Sequence, residues 1–96
     1  DVAVIDCVTV WLSNVLHQYP ENPENAPPVA TLLDVLLAPP CDLILVTNEV
    51  GFGIVPMNAV ARRFRDLAGT VNRRIASRAT TVILTVCGIP TTLKQA

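Results

Sequence analysis

Three short runs of branched apolar residues do most to restrict how this chain can fold: Val2-Ala3-Val4-Ile5, Leu43-Ile44-Leu45-Val46 and Thr81-Val82-Ile83-Leu84-Thr85-Val86. The first two are apolar throughout, the pattern of strands covered on both faces in a parallel sheet. The third is rich in β-branched residues and reads as a strand for that reason. Between them the spacing turns helical. Thr9 to Gln18 places Trp11, Leu12, Val15 and Leu16 on one side, and Val29 to Ala38 does the same with Leu32, Leu33, Leu36 and Leu37 before Pro39-Pro40 stops it. Tyr19 to Pro28 carries Pro20, Pro23, Pro27 and Pro28 and is predicted to be a loop. The longest helix is predicted from Asn58 to Arg78, with an apolar stripe of Val60, Phe64, Leu67, Val71 and Ile75. Gly69 inside it costs roughly 1 kcal/mol relative to alanine, which predicts a packing or functional reason for it. Gly88 and Pro90 are expected to end the third strand.

The predicted order is therefore β-α-α-β-α-β. Right-handed crossovers would make the three strands parallel, in one α/β domain over residues 1–96. In open α/β sheets ligands bind beyond the carboxyl ends of the strands. The residues expected there are Asp6 and Cys7, Thr47 to Glu49, and Cys87 and Gly88. Two carboxylates, Asp6 and Glu49, would then share one edge of the sheet.

The 96 residues suit one small domain, and eight acids against seven bases exclude a globally basic nucleic-acid binder. No apolar stretch approaches the ~18 residues of a membrane span. The chain opens on Asp1 rather than Met with no basic segment leading into an apolar one, so no signal peptide is expected, and an N-terminal part is expected to lie outside these residues. Cys7, Cys41 and Cys87 lack C-x-x-C spacing, which points to a reducing compartment with neither disulfide framework nor zinc site.

Charge is unevenly placed. Seven of the eight acids precede Arg62, whereas Arg62, Arg63, Arg65, Arg73, Arg74, Arg78 and Lys94 all follow Ala61. Clustered arginines suit bidentate contact with carboxylate or phosphate, although charge alone favours a solvated helix face.

Four apolar residues closed by Asp6 is the pattern of a Walker-B strand, whose carboxylate holds Mg²⁺ beside phosphates. Its usual companion, G-x-x-x-x-G-K-[ST], does not occur in this sequence, and Lys94 lies in no glycine-rich loop. Thr47-Asn48-Glu49-Val50-Gly51-Phe52-Gly53-Ile54-Val55-Pro56, followed by Ala61-Arg62, Phe64-Arg65-Asp66, Ala68-Gly69 and Val71-Asn72, resembles the bifunctional adenosylcobinamide kinase/adenosylcobinamide-phosphate guanylyltransferase family of cobalamin biosynthesis. Ile5-Asp6-Cys7-Val8-Thr9, Trp11-Leu12, Asn14-Val15-Leu16 and Cys87-Gly88-Ile89-Pro90 are similar to the family at the matching places. The T-N-E-V-G-x-G-I-V-P and F-R-D-x-A-G-x-V-N runs are highly specific. The likeness covers essentially the whole chain but only about the C-terminal half of the family's length.

That resemblance implies a RecA-like P-loop fold lacking its N-terminal P-loop portion, a cytoplasmic location and a trimer, with no nucleic acid or membrane partner. It implies phosphorylation of adenosylcobinamide by ATP or GTP, then transfer of GMP from GTP to adenosylcobinamide phosphate through a histidine–GMP intermediate. The P-loop and the nucleophilic histidine belong to the missing N-terminal half, so this chain alone is expected to be inactive. Asp6 matches the acid that contacts the guanine nucleotide and, through water, Mg²⁺. Glu49 matches the acid of the T-N-E-V-G motif, with an inferred role in orienting the hydroxyl, a Mg²⁺-bound water or the corrinoid side chain. Thr47, Asn48, Gly51, Gly53, Arg62 and Arg65 are expected to contact the corrinoid or a neighbouring subunit. The glycines are expected to supply positive φ or close approach of backbone to ligand. An Arg62–Asp66 pair one turn apart is worth only a few tenths of a kcal/mol, which favours docking or phosphate contact for Arg62 and Arg65. Phe52 stands where methionine is expected and Met57 where glutamate is expected. His17 reads as an ordinary helix-surface histidine.

Two other functions fit the residues less completely: a P-loop ATPase of different specificity, and a non-catalytic assembly module. Leaving two or three Val, Leu or Ile side chains of a central strand exposed costs several kcal/mol, at ~1.5–3 kcal/mol each. Whole domains are stable by only roughly 5–15 kcal/mol. Self-association or a completing segment is expected.

Overall fold

The computed structural model describes residues 1–51, 53–54 and 56–96. The first two apolar runs form β1 (Val2–Asp6) and β2 (Asp42–Val46), paired in parallel with Val2 opposite Asp42 and Asp6 opposite Val46. Their crossover carries α1 (Val8–Gln18), a 3₁₀ turn (Pro23–Asn25) and α2 (Pro27–Leu37). The second helix starts two residues before the expected Val29, because proline is tolerated in the first helical turn, where no amide donor is needed. The long helix is α3 (Ala59–Arg78), whose first turn is capped by Asn58: its Oδ1 accepts from the amides of Val60 at 2.8 Å and Ala61 at 3.1 Å.

The core lies where α3 crosses α1 and α2. Val8, Leu12 and Val15 meet Ala26, Val29 and Leu33 and the α3 residues Leu67, Ala68, Val71 and Ile75. Phe64 packs against this core, but Val60 does not, since the first turn of α3 projects past the helix contact and leaves it exposed. Ile5 and Leu45 of the sheet rest on the core. The alternate residues face away: Val4 is 60% exposed and Ile44 53%. Within this chain the helices cover one face of a sheet whose residues are apolar on both.

The third strand departs from expectation. β3 (Thr81–Val86) does not join β1 and β2 as a third parallel strand. It pairs antiparallel with β4 (Ile89–Gln95) in a separate two-stranded sheet, Val86 opposite Ile89 and Thr81 opposite Gln95. The reason lies in two residues. Cys87 at φ 53° and Gly88 at φ 75° form the two-residue reversal whose twist matches that of the flanking strands. Pro90 is accommodated because this is an edge strand, where a missing amide donor costs little. Lys94 fastens the hairpin to the end of α3, with Nζ donating to the carbonyls of Ala76 at 2.9 Å and Ser77 at 3.3 Å.

The proline-rich connection is tied down by one acid. Arg63 Nη1 and Nη2 both donate to the Glu24 carboxylate, and Arg74 Nη1 donates to the Glu24 carbonyl at 2.6 Å. Burial acts to raise the Glu24 pKa, but the hydrogen bond from its own backbone, those from Arg63 and the charges of Arg63 and Arg74 outweigh it, and the net shift is downward. A carboxyl held low in the fold contributes stability above its unfolded pKa and loses it as pH falls through the lowered value.

Gly69 has no steric need to be glycine. A Cβ there would meet Arg73 Nη1 at 3.5 Å, an ordinary contact, so the packing reason expected for it is not found. Gly69→Ala is expected to raise stability by about 0.5–1 kcal/mol, read as a higher urea midpoint at unchanged slope.

Candidate functional site

Parallel pairing of β1 and β2 puts their carboxyl ends side by side, so Asp6 is level with Val46 and the chain leaves β2 as Thr47-Asn48-Glu49 at the same edge. This is where both carboxylates were expected. Cys87 and Gly88 are not brought to that edge by any shared sheet, since they form the tip of the separate hairpin.

Four residues from three elements fix the start of the Thr47–Gly51 segment. The Asn48 amide donates to Thr9 Oγ1 at 2.9 Å, and Thr9 Oγ1 lies 3.4 Å from Thr47 Oγ1. Thr47 Oγ1 donates to Asn72 Oδ1 at 2.9 Å, and Asn72 Nδ2 donates to the Asn48 carbonyl at 3.2 Å. Thr9 sits in the first turn of α1 and Asn72 in the middle of α3. Neither was singled out from the sequence for a role. One signal was available: Arg62, Arg65, Gly69 and Asn72 recur at spacings of 3, 4 and 3, one face of α3.

That face holds the rest of the loop. Glu49 Oε1 accepts the Gly51 amide at 2.8 Å, closing a tight turn. Arg65 Nη2 donates to the Gly51 carbonyl, and Arg62 Nη1 donates to the carbonyls of Pro56 at 2.9 Å and Met57 at 2.6 Å. Arg62 does not pair with Asp66; among the described residues the one ion pair is Arg63–Glu24. The reach of the two arginines explains this, because carbonyls of a loop lacking other partners compete successfully with a solvated carboxylate. Gly51 is needed for close approach rather than positive φ. A Cβ at this position would stand 2.7 Å from Glu49 Oε1 and displace the carboxylate. Gly53 lies in open space, Met57 is exposed, and Phe52, the other departure from the family pattern, lies outside the described residues.

Asp6 is exposed at its strand end, and among the described residues its carboxylate accepts no hydrogen bond and no cluster of three metal-binding side chains occurs. One free carboxylate suits Mg²⁺ held through water and substrate phosphates rather than by an all-protein cage. His17 stands at the other end of α1, about 15 Å along the helix axis at 1.5 Å per residue. There it lines an open groove of about 1020 Å³ with Ser13, Leu16, Pro20, Val60 and Phe64. All three cysteines are free thiols, and no described helix is long and apolar enough to cross a membrane.

Residues 1–93 match the family described as cobinamide kinase / cobinamide phosphate guanyltransferase. The chain is 40% identical to the bifunctional adenosylcobalamin biosynthesis protein CobU of Salmonella typhimurium, over 98% of this chain and 59% of that protein. It is 37% identical to CobU of Escherichia coli, at the same coverage of both chains. Against the bifunctional adenosylcobalamin biosynthesis protein CobP of Pseudomonas aeruginosa it is 39% identical, over 95% of this chain and 52% of the relative. The chain thus spans somewhat more than half the length of the curated relatives it matches.

Proposed function

The chain belongs to the cobinamide kinase / cobinamide phosphate guanyltransferase family, and on that premise we propose that it is the C-terminal part of a single P-loop domain that carries out both reactions. The match over residues 1–93 is the observation that carries this reading. Support from geometry comes from Asp6 and the Thr47–Gly51 segment meeting at the carboxyl edge of a parallel strand pair, where α/β folds bind ligands.

In the first step the aminopropanol hydroxyl oxygen of adenosylcobinamide attacks the γ-phosphorus of ATP or GTP. The bond from that phosphorus to the bridging oxygen breaks, the nucleoside diphosphate leaves and the hydroxyl proton passes to water. Glu49 orients the hydroxyl: with Oε1 taken by the Gly51 amide, Oε2 is the oxygen left to accept from it. Asp6 is the residue that would hold Mg²⁺, and the chemistry this would supply is neutralisation of charge on the phosphates. In the second step a histidine nitrogen attacks the α-phosphorus of GTP and releases pyrophosphate. An oxygen of adenosylcobinamide phosphate then attacks that phosphorus and breaks the P–N bond. His17 is too far from Asp6 for this part, so the nucleophile comes from residues beyond this chain, as does the phosphate-binding loop. Thr47, Asn48, Gly51 and Gly53, shaped by Arg62 and Arg65, form the wall that meets the corrinoid or an adjoining subunit of a cytoplasmic trimer. A RecA-like sheet completed by the N-terminal half would cover the open face of β1 and β2.

The test is product analysis with the complete protein, adenosylcobinamide, Mg²⁺ and GTP. Adenosylcobinamide phosphate is expected first and its GDP-linked product second. Nucleotide hydrolysis with the corrinoid left untouched would favour an ATPase of other specificity. A protein that neither binds nor turns over nucleotide would be an assembly module instead.

A further inference from the structure

The hydrogen bonds around Asn48 close into a ring with a single donor direction. Thr47 has one hydroxyl proton, and it is given to Asn72 Oδ1. The 3.4 Å contact between the two threonine oxygens therefore uses the Thr9 proton, with Thr47 as acceptor. Thr9 Oγ1 in turn accepts the Asn48 amide, and Asn72 returns a proton to the Asn48 carbonyl. Starting at the Asn48 N–H and ending at the Asn48 C=O, every donor has an acceptor and no oxygen needs a second proton. Both peptide groups flanking the Asn48 Cα are gripped, one from α1 and one from α3.

We propose that Thr9 and Asn72 are positioning residues, which act by holding the backbone of the Thr47–Gly51 segment so that Glu49 enters its turn in one orientation. This rests on the reading of Glu49 given above. The division of labour follows from the contacts. The ring sets the path of the backbone up to Asn48, and the Gly51 amide then sets the carboxylate. Loss of Thr9 frees the Asn48 N–H and loss of Asn72 frees the Asn48 C=O, and either cut also weakens the bonds left in the chain, because linked hydrogen bonds polarise one another. The ring residues are half-buried or exposed, so water can replace the lost partners and the fold does not depend on them. Orientation does depend on them, and misplacing a reacting group by about 1 Å costs up to about 100-fold in rate.

The experiment uses the complete protein with adenosylcobinamide and ATP, comparing Thr9→Val, Thr9→Ser, Asn72→Leu, Glu49→Gln and the Thr9→Val/Glu49→Gln double variant. Hydrogen exchange of the Asn48 amide is measured in parallel. Thr9→Val keeps the shape of the side chain and removes its hydroxyl. It is expected to speed Asn48 exchange at least about tenfold and to lower kcat by about 10- to 100-fold with little change in KM or melting temperature. Thr9→Ser is expected to restore both. In the double variant kcat is expected to equal that of Glu49→Gln alone, since a positioning residue has nothing left to position. Unchanged exchange in Thr9→Val, or additive losses in the double variant, would overturn the inference while leaving Glu49 as an active residue. If Glu49→Gln keeps full activity although exchange at Asn48 rises in Thr9→Val, the ring stands and the role given to Glu49 falls.

Discussion

Asp6→Ala in the complete protein is expected to lower the rate of phosphoryl transfer by about 100-fold or more while leaving the melting temperature within about 2 °C of the parent. Two features of the fold make the effect so one-sided. Asp6 is the last residue of β1 and is exposed, with its backbone in the ladder to β2 and its carboxylate outside every described contact, so removing the carboxylate breaks nothing that holds the chain together. The same carboxylate stands at the edge where the phosphates would lie, and the electrostatic stabilisation lost there is paid in full by the transition state. Asp42 supplies the control. It is also exposed and also in the parallel pair, but it begins β2, at the opposite edge of the sheet. Asp42→Ala removes the same charge and is expected to leave the rate within about twofold. Comparable losses in both variants would mean that Asp6 acts through net charge, not through its place. The readout is the initial rate of phosphate transfer to adenosylcobinamide at saturating Mg·ATP.

The parts of this fold that could be read from the sequence are those fixed by local periodicity. β1, β2, α1 and α3 follow from apolar runs and 3.6-residue spacing, and the carboxyl-edge placement of Asp6 and Glu49 follows from the parallel crossover. The orientation of β3 could not be read the same way, because the run Thr81–Val86 is compatible with either direction of pairing and the choice is made by its partner. That partner, β4, is concealed by Pro90 and by the polar Thr91 and Thr92, and the turn that creates it depends on positive φ at Cys87, a residue that carries no turn signal of its own. Side-chain roles were legible only where they were local. The Asn58 cap joins neighbours in sequence, whereas Thr9 and Asn72 meet Asn48 across 39 and 24 residues. Arg62 and Arg65 illustrate the same limit from the other direction. Their clustering suggested an anion or a subunit, but in this chain their guanidinium groups are spent on carbonyls at Gly51, Pro56 and Met57. Arg65 Nη1 is buried and makes no hydrogen bond among the described residues.

The exposed faces of both small sheets belong to the same picture. Val2, Val4, Ile44 and Val46 on one, and Ile83, Val86, Ile89 and Leu93 on the other, leave more apolar surface in water than an isolated domain of this size tolerates easily. A two-stranded parallel sheet with helices on one side is half of an α/β sandwich. The proposed chemistry divides in the same way: Asp6 and Glu49 would come from this chain, and the nucleophile and phosphate loop from outside it.

That division is tested most directly by locating the covalent GMP. The complete protein is incubated with Mg²⁺ and GTP labelled in the α-phosphate, denatured and digested, and the labelled peptide is identified by mass. The expected result is an acid-labile phosphoramidate on a histidine outside residues 1–96, formed equally well by His17→Ala and lost when adenosylcobinamide phosphate is added. A label on His17, or no covalent nucleotide at all, would contradict it.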